Sequence, residues 1–99
     1  MAKTERTKER LLAFMEILQQ ETDENHHLSM PELLARLEQK GVKAERKSLY
    51  RYVEVLQEEG WDILRDGQGY YLASGQFELA ELKLLADAIG CSRFITEKK

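Results

Sequence analysis

The chain is poor in residues that stiffen or cross-link a fold: its 99 residues include one cysteine, Cys91, and one proline, Pro31. A lone cysteine excludes an internal disulfide framework and makes a reducing cytoplasm the expected location. No apolar run approaches the roughly 18–20 residues of a membrane span. The opening MAKTERTKER holds no apolar segment of signal-peptide type, so no membrane partner is expected. An excess of one charge is also missing. Fifteen Lys and Arg face eighteen Asp and Glu, and the net charge of −3 counts mildly against nucleic acid as a partner. With 42% hydrophobic residues the chain is too apolar to stay disordered. Its length suits one domain and falls short of a barrel scaffold.

What is present is helical periodicity. Leu11, Leu12, Phe14, Met15, Ile17 and Leu18 follow the i, i+3, i+4, i+7 rhythm and predict a first helix over about 4–21. Lys3, Arg6, Lys8 and Arg10 crowd its start, where the helix dipole disfavours cations. They suit a solvated helix end or contacts to a phosphate backbone. The polar run Thr22–Leu28 reads as a loop. Ser29 and Glu32 then form a capping box, with Pro31 in the first turn of a short helix over about 31–40. Leu33, Leu34 and Leu37 face the core, and Gly41 ends the helix. After a brief turn, a third helix spans about 45–59 with Leu49, Val53 and Leu56 inward and part of Tyr52 beside them.

Past Gly60 the period changes to about two. Residues 61–65 and 70–72 read as strands, joined by Asp66-Gly67-Gln68-Gly69, whose glycines suit the positive φ of a tight hairpin. Trp61, Tyr70 and Tyr71 suit packing between hairpin and core. Residues 77–89 are helical again. The expected fold is therefore mainly α with a small β-hairpin. The short helix, turn and third helix make a helix-turn-helix, and the hairpin directly after it makes a winged helix-turn-helix. That is a three-helix core, a two-stranded wing and an additional C-terminal helix, with residues 1–75 as the winged domain and 76–99 as a linker or dimerisation helix.

The charge map reopens the question of partner. Residues 42–52 hold Lys43, Arg46, Lys47 and Arg51 against Glu45 alone, a net of +3, whereas residues 53–62 hold Glu54, Glu58, Glu59 and Asp62, a net of −4. A helix arranged for its own dipole would place acids first and bases last. The inversion suits a recognition helix whose N-terminal part meets DNA. Double-stranded DNA is the expected partner. Arg46, Lys47, Ser48, Tyr50 and Arg51 are expected to face it, with Lys43 and Arg65 on phosphates and Gln68 as a further wing contact. Gly67 and Gly69 let the wing backbone approach, while Asp66 repels phosphate and limits the wing's share. The alternative is a winged-helix module that docks a protein and binds no DNA.

Other chemistry finds little support. His26 and His27 are adjacent, with Asp23 and Glu24 nearby, but lack the spacing that brings two rings to one metal, and Cys91 is far along the chain. No nucleophile with its base and no glycine-rich phosphate loop is present, so neither an enzyme nor a cofactor is expected. Phe77, Leu82, Leu84, Leu85 and Ile89 spread apolar surface over more than one stripe of the last helix, which predicts a homodimer, the alternative being a helix folded wholly onto its own domain. Thr96 and Glu97 read as the start of another helix, as in a piece of a longer protein.

Leu28-Ser29-Met30-Pro31-Glu32-Leu33, Glu45-Arg46-Lys47-Ser48-Leu49-Tyr50-Arg51 and Gly69-Tyr70-Tyr71-Leu72 together resemble the N-terminal winged-helix domain of bacterial WYL-domain transcription regulators. The stretches 77–85 and 92–95 resemble the linker that follows the wing in that family. The resemblance covers nearly the whole chain. It implies the DNA-reading domain of a regulator that carries a C-terminal effector domain absent from this sequence, whose ligand is therefore unassigned. One position departs from the family pattern. Tyr50-Arg51-Tyr52 stands where the family usually has Tyr-Arg-Asp, and Tyr52 is expected to pack beside Val53.

Overall fold

The computed structural model describes residues 2–73 and 78–89, with the side chains of all of these except residues 2–7 and 79. Its elements are α1 (Ala2–Glu21), α2 (Met30–Gln39), α3 (Arg46–Glu58), β1 (Ile63–Asp66), β2 (Gly69–Leu72) and α4 (Leu79–Ile89). The fold is thus mainly helical with one two-stranded antiparallel hairpin.

Helix α1 forms the spine. Leu11, Phe14, Met15, Ile17 and Leu18 are fully buried, while Leu12 is half-buried at the edge. Helices α2 and α4 and strand β2 pack on α1. Two ion pairs clamp α2 to α1: Arg36 to Glu21 at 2.9 Å and Lys40 to Glu16 at 3.6 Å. A third, Lys8 to Asp87 at 3.2 Å, joins α1 to α4.

The start of α2 follows the expected cap. Ser29 Oγ accepts from the Glu32 amide at 3.3 Å, and the Glu32 carboxylate accepts from the Ser29 amide at 2.8 Å. These two bonds satisfy backbone donors that a helix start otherwise leaves open. Helices α2 and α3 end alike. The Val42 amide donates to the Leu37 carbonyl and the Trp61 amide to the Leu56 carbonyl, the long bond of a Schellman turn in each case. Gly60 occupies the left-handed position of the second turn at φ 103°, which lets buried Trp61 fold back under α3.

In α3, Leu49, Tyr52, Val53 and Leu56 form the buried stripe, joined by Val55. Tyr52 is a full core residue, 4% exposed, with its ring centroid 5.9 Å from that of Phe14 and tilted 49°. The hairpin pairs Ile63 with Leu72, Leu64 with Tyr71, Arg65 with Tyr70 and Asp66 with Gly69. Both strands are displaced from the expected spans, since the ladder begins at Ile63 and runs on to Asp66.

Two expectations about this region are corrected. Gly67 has no positive φ; only Gly69 of the hairpin does, at 144°. The turn is closed instead by Asp66, whose carboxylate accepts from the amides of Gln68 at 2.8 Å and Gly69 at 3.2 Å. The run 22–28 is also more than a loop. Thr22 is buried, its hydroxyl donating to the Leu18 carbonyl at 2.5 Å and accepting from the Leu72 amide at 3.0 Å. Leu28 exchanges both backbone bonds with Tyr70, at 3.0 and 2.7 Å, and so extends the hairpin by one bridge on the β2 side.

Helix α4 lies against α1 through Leu82, Ala86 and Ile89, each at most 2% exposed. Their i, i+4, i+7 spacing spends one stripe of the helix on this chain's own core. The apolar excess on α4 is consequently smaller than the sequence suggests.

Candidate nucleic-acid interface

The first half of α3 presents Arg46, Lys47, Tyr50 and Arg51 to solvent, with Tyr50 45% exposed. The reason is the stripe beneath them. With Leu49, Tyr52, Val53 and Leu56 facing inward, positions 46, 47, 50 and 51 fall on the opposite side of the helix. Ser48 departs from the outward arc expected for it. It is half-buried and lines a cleft of about 530 Å³ between α1, α2 and α3, together with Arg10, Leu34 and Lys43.

The start of α3 has one acid, Glu45, against several cations. Glu45 at the N-cap makes no side-chain cap bond, and no acid occupies the first turn. Lys8, Arg36 and Lys40 serve as interhelical clamps, while Lys43, Arg46 and Lys47 at the start of α3 stay outside any ion pair among the described residues. Exposed backbone donors, positive dipole and unpaired cations together make a region that attracts anions.

The hairpin adds Arg65, exposed on β1. Its guanidinium lies 5.9 Å above the Tyr70 ring. Bonding to the Tyr70 hydroxyl holds it further toward the charged form, and Tyr50 of α3 adds a smaller pull in the same direction. Gln68 is exposed in the turn, its amide bonded to Asp66. Asp66 is held below the ordinary carboxylate range, first by the Gln68 amide and then by His27.

The two histidines go separate ways. His26 is exposed, 3.0 Å from Asp23 within its own loop, and the Asn25 amide also donates to Asp23 at 2.7 Å. His27 is only 9% exposed and reaches Asp66 of the hairpin at 3.0 Å, with its ring stacked on Tyr71 at 4.0 Å between centroids. Tyr71 thus packs on this ring rather than into the core. The pairing spans 39 residues, and no local signal announces it. Among the described residues, no group of three or more His, Cys, Asp or Glu is placed to hold a metal ion, and Cys91 lies outside them.

Of the residues expected to form a dimer face, Leu82 and Ile89 are buried within the chain and Leu85 is half-buried. Leu84 is 69% exposed, and Phe77 lies outside the described residues. Among the described residues no helix is long and apolar enough to cross a membrane. Comparison with protein families, with curated proteins and with solved structures gives no match.

Proposed function

We propose that this chain reads double-stranded DNA as the winged helix-turn-helix domain of a transcription regulator of the WYL-domain type. In this reading α2, the turn and α3 are the helix-turn-helix, with α3 entering the major groove. The β1–β2 hairpin is the wing beside it, and α4 belongs to the linker or dimerisation segment. The observation that carries the reading is the exposed pair Arg46 and Lys47 at the start of α3, which form no ion pair among the described residues, beside exposed Tyr50. Arg46 can grip a guanine bidentately, Ser48 and Tyr50 can meet base edges or phosphate, and Lys43, Lys47, Arg51 and Arg65 can meet phosphates.

The net charge of −3 implies weak non-specific attraction, so that directed contacts must carry more of the affinity. Titration of selected duplex DNA at two salt concentrations tests the reading. Affinity that falls steeply with added salt is expected. Salt-insensitive or absent binding overturns it and favours a protein-docking module, to which exposed Leu84 on α4 would then be the pointer.

A further inference from the structure

His27 sits between two acceptors. Its Nδ1 lies 3.0 Å from the Asp66 carboxylate and its Nε2 lies 3.0 Å from the Glu24 carbonyl oxygen. A carboxylate and a backbone carbonyl can only accept, so both contacts are hydrogen bonds only when both ring nitrogens donate. Neutral imidazole has one N–H. Whichever tautomer it adopts, one lone pair then points at an oxygen. The ring cannot simply swing away to water, because it is 9% exposed and stacked on Tyr71 with only 8° between the planes.

The groups facing the ring are Asp66 and Tyr71 from the hairpin and the Glu24 carbonyl from its own loop. Asp23 is turned toward His26 instead. Among the described residues no lysine or arginine pairs with Asp66, so a protonated imidazole would be its cationic partner there. Asp66 in turn closes the β1–β2 turn through the amides of Gln68 and Gly69. One ring therefore ties the α1–α2 connection to the carboxylate that shapes the hairpin tip. Arg65 is the residue immediately before that carboxylate.

We propose that His27 is a proton-dependent latch: as the imidazolium it fastens the hairpin to the loop before α2, and on losing its proton it loosens the hairpin tip. His27 acts through Asp66 and is a positioning residue for the hairpin. The latch itself needs no DNA. Its consequence, a DNA affinity that weakens as pH rises through the range where imidazoles titrate, between about 5 and 8, rests on the proposed DNA reading.

Amide hydrogen exchange on the full chain without DNA, corrected for intrinsic rates, tests the latch. The Gln68, Gly69 and Tyr70 amides are expected to be about threefold to tenfold better protected at the acid end of that range, the scale of one charge-assisted hydrogen bond near the surface. His27→Gln removes the pH dependence, and His26→Gln keeps it. Asp66→Asn supplies a second variant, since its amide oxygen still closes the turn without the charge, and it too removes the dependence. Equal protection at both pH values in the native chain overturns the latch, as does a pH dependence that survives both His27→Gln and Asp66→Asn. Because these readings are made without DNA, a failed DNA titration leaves the latch standing and a failed latch leaves DNA binding standing.

Discussion

The backbone of Leu28 passes so close to Gly69 that a β-carbon on residue 69 would overlap the Leu28 carbonyl group and stand 2.7 Å from the Ser29 nitrogen. Gly69 is constrained twice over, because its φ of 144° is also unfavourable for a side chain. Gly67, two residues earlier, has open space around its α-carbon. Gly69→Ala is therefore expected to cost at least about 2 kcal/mol of stability. Gly67→Ala should change stability by no more than about 0.5 kcal/mol. Urea unfolding midpoints compared at constant slope check the pair, and the reverse order would refute this account of the hairpin.

Tyr52 is a core residue in ring contact with Phe14, a position unsuited to a carboxylate. Tyr52→Asp would place a carboxylate against an aromatic ring in the core, and Tyr52→Ala would leave a cavity costing about 3 kcal/mol or more. Burial also raises the Tyr52 phenol above its ordinary 10.0, against the opposing pull of Arg10. The folded chain keeps this proton longer than the unfolded one, so the associated stability is fully present below pH 10.0 and lost as pH rises beyond it. Alkaline unfolding should accordingly be shallower in Tyr52→Phe than in the native chain. Parallel alkaline curves would contradict this.

Arg51→Ala is expected to weaken DNA binding across all sequences and to reduce the salt slope by about one. Arg46→Ala and Ser48→Ala should instead alter sequence preference, by roughly 1–3 kcal/mol for any that meets a base edge. Binding measured over a salt series, on both a selected and a scrambled duplex, separates the two behaviours. A slope unmoved by Arg51→Ala would remove that residue from the phosphate contacts.

Leu82 and Leu84 are two residues apart on α4 and have opposite environments, 1% and 69% exposed. Leu82→Ala should cost about 2–5 kcal/mol, whereas Leu84→Glu should leave the unfolding midpoint nearly unchanged. If α4 pairs two copies through its outer face, Leu84→Glu also shifts the sedimentation coefficient from dimer to monomer. A dimer that survives it places the contact elsewhere.

The helices were legible because their signals are local. The Leu11–Leu18 periodicity, the Ser29–Glu32 box and the terminal Gly41 and Gly60 lie within a turn or two of what they specify. The cation-rich start of α3 was legible for the same reason, since the Leu49–Leu56 stripe orients its neighbours through the helix period. The last helix was harder to read. Leu82, Leu84 and Ile89 are alike as letters, and only packing against α1 separates the buried from the exposed. Likewise 22–28 is polar, so its pattern gives no hint that Thr22 is buried or that Leu28 pairs with Tyr70.

By itself the sequence determined a small, mainly helical domain with one hairpin, and it located the cluster of positive charge. These follow from composition, helix period and caps, which act over a few residues. Tertiary structure alone decided that Lys8, Arg36 and Lys40 are spent as clamps between helices. It also decided that Gly69 must be bare and that His27 faces Asp66. Each depends on a partner far along the chain, 39 residues for His27 with Asp66 and 50 for Thr22 with Leu72, and such meetings exist only once the helices have packed.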